Sequence, residues 1–197
     1  MGKVIEEYRY EGKKLVVLSL HVDYWNRLGW KDPFSQPVFS AGQNEYATQM
    51  NADNVYTPQV VINGEWEAVG SNEILVKKYI ANALGNANTT RLVLSDVKQN
   101  DQKLEVAFTT EKTNAASIIH FAIVENKATT KIKAGENGGV TLNNYNIVRS
   151  WKTMKISGDG EQDVALDLPA GYNASQFSVI GFVEEKAGGK IVAVDTR

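Results

Sequence analysis

The sequence predicts two kinds of structure in one chain: a mixed α/β segment over residues 1–88, followed by an all-β segment over residues 89–197. In the first segment, short apolar runs alternate with stretches of helical spacing, as they do in α/β folds. Beyond about residue 90, apolar residues recur at every second position in runs separated by glycine- and asparagine-rich turns. That pattern is typical of a β-sandwich, and we place the domain boundary near residue 88.

Composition narrows the possible functions. The 197 residues carry a net charge of −2 and no basic cluster stands out, so no field favours nucleic acid or an anionic membrane. The chain has no cysteine, which removes disulfides, thiolate nucleophiles and cysteine-ligated metal. Its apolar runs fall far short of the roughly 20 residues of a membrane-spanning helix. The charged N-terminus does not have the pattern of a signal peptide. We therefore expect no nucleic-acid partner and no membrane span.

The first segment contains several elements with clear boundaries. They are a helix tail over 3–10, a strand over 14–22, a helix over 37–50, a hairpin over 59–69 and a helix over 73–84. Pro37 suits the first position of a helix. Asn63-Gly64 is the strongest hairpin signal in the chain. Ser71 or Asn72 is expected to cap the last helix.

The second segment alternates in most of its strands. Apolar and polar residues alternate over 104–108, 164–168 and 177–183, which predicts strands with one buried face. Residues 117–124 are more continuously apolar. The glycine-rich run 135–139 is followed by a strand pattern, not by the Lys-Ser/Thr and helix of a phosphate-binding loop, so it predicts a hairpin turn.

The predicted site is the loop that follows strand 14–22, with the sequence HVDYWNRLGWKDPF over residues 21–34. Two of the four Trp and one of the two His lie in it. Open α/β sheets build sites in this way, where a buried strand ends in polar and aromatic groups.

His21 and Asp23 are the candidate catalytic residues. Two apart on a strand, they would point to one face, where Asp23 could orient His21 as a general base. No Ser or Cys is spaced to complete a triad. The alternative is structural, with His21 held by hydrogen bonds and Asp23 capping the loop. A metal site of His21, Asp23 and Asp32 would suit zinc or manganese, but the spacing matches no established ligand pattern, and we expect no metal and no cofactor.

The aromatic residues of the loop form a second candidate feature. They are Tyr24, Trp25, Trp30 and Phe34. Aromatic rings with polar handles are common in ligand clefts and interfaces. The alternative is that these rings fill the junction between the two domains.

Several motifs resemble a known family. The loop HVDYWNRLGWKDPF, the hairpin YTPQVVING, and GEN and NIVR at residues 135–137 and 146–149 resemble the bacterial secreted family catalogued as domain of unknown function 1223. The resemblance covers nearly the whole chain and implies a thioredoxin-like fold followed by a β-rich domain. It also implies a periplasmic or secreted location, and it matches Thr57-Pro58 to the cis proline of thioredoxin-like folds.

The sequence departs from that family at its start. Family members resemble thioredoxins in having an N-terminal strand and a Cys-x-x-Cys, whereas residues 3–10 match only the end of the helix that follows. The thioredoxin-like domain would then lack the strand that lies between strands 14–22 and 59–63. We expect a truncated chain, a partner chain that supplies the strand, or direct pairing of the two flanking strands. An unpaired edge also favours a homodimer.

Three functions remain open. The leading hypothesis is a redox-inactive module that binds a peptide, protein or small molecule. Its expected ligand-binding residues are Tyr24, Trp25, Trp30, Asp32, Thr57 and Pro58. The first alternative is a thiol–disulfide oxidoreductase whose cysteine pair lies upstream of this sequence. The second is a hydrolase or metal enzyme based on His21 and Asp23.

Overall fold

The computed structural model of the protein describes residues 15–86, 88–134, 138–172 and 174–197. It is mostly β-sheet with two α-helices, which is consistent with the expected mixture of helix and strand. The predicted helix tail at 3–10 lies outside the described residues, as do parts of the linker near 87 and of the glycine-rich loop near 136. Within the described ranges, no helix is long and apolar enough to cross a membrane.

Three antiparallel sheets contain the described strands. The helices are α1 (Pro37–Met50) and α2 (Glu73–Gly85), and the strands are β1 (Gln59–Ile62), β2 (Trp66–Val69), β3 (Arg91–Asn100), β4 (Lys103–Glu111), β5 (Ile118–Lys131), β6 (Thr141–Lys155), β7 (Gly160–Asp167), β8 (Phe177–Glu184) and β9 (Ile191–Thr196). The strand orders are β1-β2, β3-β4-β7 and β6-β5-β8-β9. Short 3-10 helices cover Tyr24–Leu28 and Ala174–Gln176.

Local chemistry sets the ends of the helices and the hairpin turn. Helix α1 begins at Pro37, as expected, and the Asn72 side chain caps α2 by accepting a hydrogen bond from the Leu75 amide at 3.1 Å. The turn between β1 and β2 has three residues instead of two, because Ile62 pairs with Trp66.

One apolar core lies between the three-stranded and four-stranded sheets. Leu94 and Phe108 contribute from the first sheet, and Phe121 and Val183 contribute from the second. The Phe108 and Phe121 rings lie 4.9 Å apart. Burial of aromatic and branched side chains between two sheets is the main source of stability in such an arrangement.

The other face of the four-stranded sheet is covered as well. Phe39 of α1 packs there with Val16 and Leu18, against a group of sheet residues comprising Ala122, Val124, Val148 and Ile180. Burial on both faces explains why residues 117–124 are continuously apolar. It also corrects the one-sided burial expected for β8, since residues 179–184 are all buried.

The predicted strand 14–22 is not part of a sheet in its described portion. Ser19 forms an isolated parallel bridge with β6, donating its amide to Asn146 O at 2.8 Å and accepting from the Val148 amide at 3.1 Å. Among the described residues, β1 pairs only with β2, so direct pairing of strands 14–22 and 59–63, one of the three outcomes expected, is not found there. The reason is tertiary: Val16 and Leu18 pack on the four-stranded sheet, while Leu15 packs with the hairpin and α2.

A buried carboxylate joins α1 to the end of β8. Glu184 is 2% exposed, and it accepts hydrogen bonds from the Tyr46 hydroxyl and, at 2.9 Å, from the Gly188 amide. Burial, followed by the charge and hydrogen bond of Glu184, raises the pKa of Tyr46 well above its ordinary value. Tyr46 therefore remains a neutral donor, which is what a buried carboxylate requires.

His120 is the third group at this carboxylate. Its Nε2 lies 3.2 Å from Glu184 Oε2, without the alignment of a hydrogen bond. Its Nδ1 lies 2.8 Å from the Thr153 hydroxyl. The ring is flanked by Trp151 and Phe182, with centroids 5.0 and 4.8 Å away. The imidazole is thus fixed by packing on two sides.

The turn between β8 and β9 contacts the β1–β2 hairpin. The Ile191 amide donates to Asn63 O at 2.8 Å, and Lys190 Nζ lies 3.4 Å from a carboxylate oxygen of Glu65. The tip of the hairpin is thus bonded both to its own strands and to the start of β9.

We predict that Tyr46→Phe lowers the free energy of unfolding by about 1–3 kcal/mol, because the buried Glu184 loses a donor that water cannot replace. Tyr79→Phe is the matched control, since the Tyr79 hydroxyl has no hydrogen bond to a described residue and should change stability little. Urea unfolding of both variants measures the difference, and equal stabilities would contradict the role of the Tyr46 hydroxyl.

We also predict that Gly64→Ala is strongly destabilising. Gly64 has a φ of +68°, and a Cβ there would lie 2.1 Å from the Gly189 carbonyl oxygen. Gly171→Ala is the control, because its φ is +81° but its Cβ would meet nothing within 4 Å. The free energy of unfolding of the control should fall by only about 1 kcal/mol, which is the cost of placing a residue with a Cβ in the left-handed conformation. Equal losses in chemical denaturation would show that the hairpin does not contact the β8–β9 turn closely.

Candidate functional site

The loop over residues 21–36 is closed by its own hydrogen bonds. The Gln36 amide donates to His21 O at 3.1 Å, and the Asp32 amide donates to the Asn26 side chain at 3.0 Å. Gly29, with a φ of 98°, ends the 3-10 helix Tyr24–Leu28 and reverses the chain. The loop therefore has a defined shape on which its side chains are positioned.

The reversal brings Asp32, not Asp23, to His21. His21 Nδ1 lies 2.7 Å from Asp32 Oδ2, and Asp32 Oδ1 accepts from the Phe34 amide at 2.9 Å. Burial acts to raise the pKa of Asp32, but the hydrogen bonds from His21 and Phe34 and the charge on His21 lower it below its ordinary value. The result is a half-buried ionised carboxylate that orients the imidazole.

Asp23 serves the structure of the loop. The Ser40 hydroxyl of α1 donates to Asp23 Oδ1 at 2.5 Å and accepts from the Asp23 amide at 3.1 Å. The candidate pairing of His21 with Asp23 is not found, and Asp32 orients His21 instead. Within the described ranges, no three His, Asp or Glu side chains are grouped to hold a metal ion.

An exposed aromatic edge lies next to the loop before β1. The Trp25 indole nitrogen donates to the Thr57 hydroxyl at 3.0 Å, although the Trp25 side chain is 45% exposed. Pro58, also exposed, follows through a cis peptide bond, as the family resemblance implied. We call the surface formed by Trp25, Thr57 and Pro58 the Trp25 edge. Three of the six expected ligand-binding residues thus meet at one place.

A polar network supports the Trp25 edge from behind. Gln43 of α1 accepts from the Tyr24 hydroxyl at 3.1 Å and donates to Tyr56 O and Gln59 Oε1 at 2.9 and 2.8 Å. Gln59 donates to Glu67 at 3.1 Å, and Tyr56 also donates to Glu67. Burial and this hydrogen bond raise the pKa of Tyr56 to about 12. The network links α1, the hairpin and the loop into one rigid support.

The remaining aromatic residues of the loop have different surroundings. Phe34 is buried, with the Arg149 guanidinium 5.0 Å from its ring and the Tyr172 ring 5.3 Å from the same guanidinium. Phe34 therefore packs against Arg149 of β6 and is not part of an exposed surface. Trp30 is half-buried and has no ring contact or hydrogen bond to a described residue.

Sequence reasoning missed the residues that support the site. Gln43, Gln59 and Glu67 meet only in the folded chain, and ordinary polar residues at these positions give no signal. His120 does give one, because it interrupts the apolar run 118–124 and a buried polar group requires a partner, whereas Glu184 stands at the end of its apolar run, next to Glu185.

Comparisons with known proteins relate the chain to a family and to a fold. The family model described as Protein of unknown function (DUF1223) matches residues 2–184. A structural-genomics protein from Agrobacterium tumefaciens has a similar crystal structure, with a TM-score of 0.70, 19% identity, and coverage of 98% of this chain and 84% of that chain. This likeness shows a common fold.

Other matches add little. Two crystal structures of a β-glucosidase from Kluyveromyces marxianus, one in complex with glucose, match at a TM-score of 0.26 and 13% identity. The matches cover 56% of this chain and 14% of the glucosidase chain, and likeness at this level carries no argument. No curated protein matches the sequence.

We predict that Asp32→Asn destabilises the protein near neutral pH and that this effect shrinks in acid. The folded state lowers the pKa of Asp32 below its ordinary 3.8, so its stabilisation is complete above that value and is lost as the pH falls through the folded-state pKa. Urea unfolding at about pH 6 and about pH 3 tests this expectation. Asp53→Asn is the control, because its exposed side chain makes no hydrogen bond to a described residue. A pH-independent difference for Asp32→Asn would contradict the prediction.

Proposed function

The chain belongs to the DUF1223 family, and from the geometry of the Trp25 edge we propose that it is a binding module that holds an extended peptide beside β1. The observation that carries the proposal is the exposed Trp25 ring, held next to Thr57 by a 3.0 Å hydrogen bond. A large aromatic ring that is both exposed and fixed contributes contact area with little further loss of entropy on binding.

The backbone of β1 supports the same reading. Pro58 O accepts from the Gly70 amide at 2.7 Å, so residue 58 faces β2. Backbone groups alternate in direction along a strand, and those of Gln59 and Val61 therefore face away from β2. Among the described residues, β1 has β2 as its one strand neighbour. Its other edge can accept an added strand from a peptide.

The folds of the two domains and the cellular location of the protein are part of the same proposal. We assign residues 1–88 to a thioredoxin-like domain and residues 89–197 to a β-sandwich. Thioredoxin-like sites hold extended chain beside the proline that precedes a strand, which matches the position of Pro58. Because these 197 residues contain no cysteine, the binding we propose requires no thiol of this chain. By family resemblance, we place it in the periplasm or outside the cell.

Selection from a random decapeptide library tests the proposal. Peptides selected on the wild-type protein should bind Trp25→Ala at least about fivefold more weakly, because loss of an aromatic anchor typically costs more than about 1 kcal/mol. Tyr145→Ala is the matched control, since Tyr145 is an aromatic residue on β6 that is 53% exposed outside the Trp25 edge. Its dissociation constants should equal those of the wild type.

Backbone methylation of a selected peptide provides the second measurement. If the peptide adds to β1 as a strand, N-methylation should weaken binding at every second amide and should be tolerated at the others. Equal binding by Trp25→Ala and wild type, or a flat methylation scan, would overturn the proposal. If a second copy of the chain occupies β1 instead, sedimentation will show a dimer that peptides do not dissociate.

A further inference from the structure

In the loop that carries Trp25, the acidic side chains and the basic side chains have different surroundings. Over residues 21–34 the sequence has two carboxylates and two basic side chains, so the loop is neutral as written. Both carboxylates are engaged: Asp23 accepts from the Ser40 hydroxyl at 2.5 Å, and Asp32 contacts His21 at 2.7 Å. Both are also half-buried. The acidic groups of the loop are thus turned toward the protein.

The basic side chains of the loop are turned to solvent. Arg27 and Lys31 are exposed, and neither forms an ion pair within the described part of the chain. Arg27 lies on the same 3-10 helix as Trp25. Glu67, the carboxylate of the network behind the Trp25 edge, accepts hydrogen bonds from Tyr56 and Gln59. The exposed surface of the loop therefore carries an excess of positive charge.

The same 3-10 helix extends the apolar part of the Trp25 edge. In a 3-10 helix, residues three apart lie one above the other, which aligns Leu28 with Trp25. The Leu28 side chain is 55% exposed. The 3-10 helix thus carries an apolar strip of Trp25 and Leu28 together with the exposed Arg27, and the exposed Lys31 follows three residues after Leu28.

From this arrangement we propose that the peptide held at the Trp25 edge is acidic, with an aromatic or aliphatic residue against Trp25 and Leu28 and carboxylates that face Arg27 and Lys31. This inference rests on the proposed function and specifies its ligand. Apolar contact supplies the affinity, and charge selects the sequence, since exposed ion pairs discriminate between partners more than they strengthen binding.

The test compares library selections on three proteins: wild type, the double variant Arg27→Glu with Lys31→Glu, and a control. The control, Lys131→Glu with Lys133→Glu, changes the net charge equally at two exposed lysines of β5 and its end. Peptides selected on wild type should be enriched in Asp and Glu, those from the loop variant in Lys and Arg, and those from the control in Asp and Glu again.

The effect of one peptide carboxylate on binding should be modest, and its sign should reverse in the charge-reversed variant. Replacing one peptide Glu with Gln should weaken wild-type binding by about two- to fivefold, the range for an exposed ion pair, and the effect should fade with added salt. A milder variant, Arg27→Gln with Lys31→Gln, should abolish the preference while leaving dependence on Trp25 intact. Circular dichroism confirms that each variant is folded.

The outcomes separate the two proposals. Binding that depends on Trp25 but shows no acidic preference, or retains it in the charge-reversed variant, would overturn the inference about the ligand and leave the binding function standing. If the control with Lys131→Glu and Lys133→Glu also selects basic peptides, the preference follows the net charge of the protein. The inference about the ligand is then overturned as well. Loss of all Trp25-dependent binding would overturn both proposals.

Discussion

The structure depends on the buried carboxylate of Glu184. A carboxylate that is 2% exposed is tolerated only when donors surround it, and these are the Tyr46 hydroxyl of α1 and the Gly188 amide. Because one donor comes from α1, moving this helix away from the four-stranded sheet would leave the buried Glu184 side chain without the hydrogen bond from Tyr46. Burial of Phe39 on that sheet reinforces the same docking. Specific polar contact and non-specific apolar burial thus fix one arrangement together.

The position of α1 in turn sets the geometry of the Trp25 edge. Gln43 lies three residues before Tyr46, within one turn of the helix, so fixing Tyr46 also fixes Gln43. The amide of Gln43 then holds Tyr24 of the loop and Gln59 of β1 in place. The exposed ring of Trp25 is a neighbour of Tyr24, with ring centroids 5.3 Å apart. A carboxylate in the sheet therefore influences an aromatic residue on the surface through one helix.

Features that are set by neighbouring residues could be predicted from the sequence, whereas features that depend on distant parts of the chain could not. Helix α1 begins at Pro37 and the hairpin turns at Asn63-Gly64, because the residues themselves fix these conformations. The pairing of residues 14–22 could not be predicted, since backbone pairing depends on distant parts of the chain, and Ser19 bridges to β6. For the same reason the spacing of His21 and Asp23 was misleading: the turn at Gly29 returns Asp32 to the histidine. Apolar periodicity predicts burial but not which surface provides it.

The loop over residues 21–34 has equal numbers of acidic and basic side chains, but the fold exposes mainly the basic ones. A short aspartate side chain reaches donors close to its own backbone, such as the Ser40 hydroxyl and the Phe34 amide. The longer side chains of Arg27 and Lys31 extend past those groups into water, where their solvation is most favourable. Screening limits each charge to about 8–10 Å at moderate salt, so a ligand at Trp25 experiences the exposed cations of the loop more than the net charge of the chain. The polarity of the surface is therefore a consequence of the fold, and a neutral loop in the sequence can become a basic one in space.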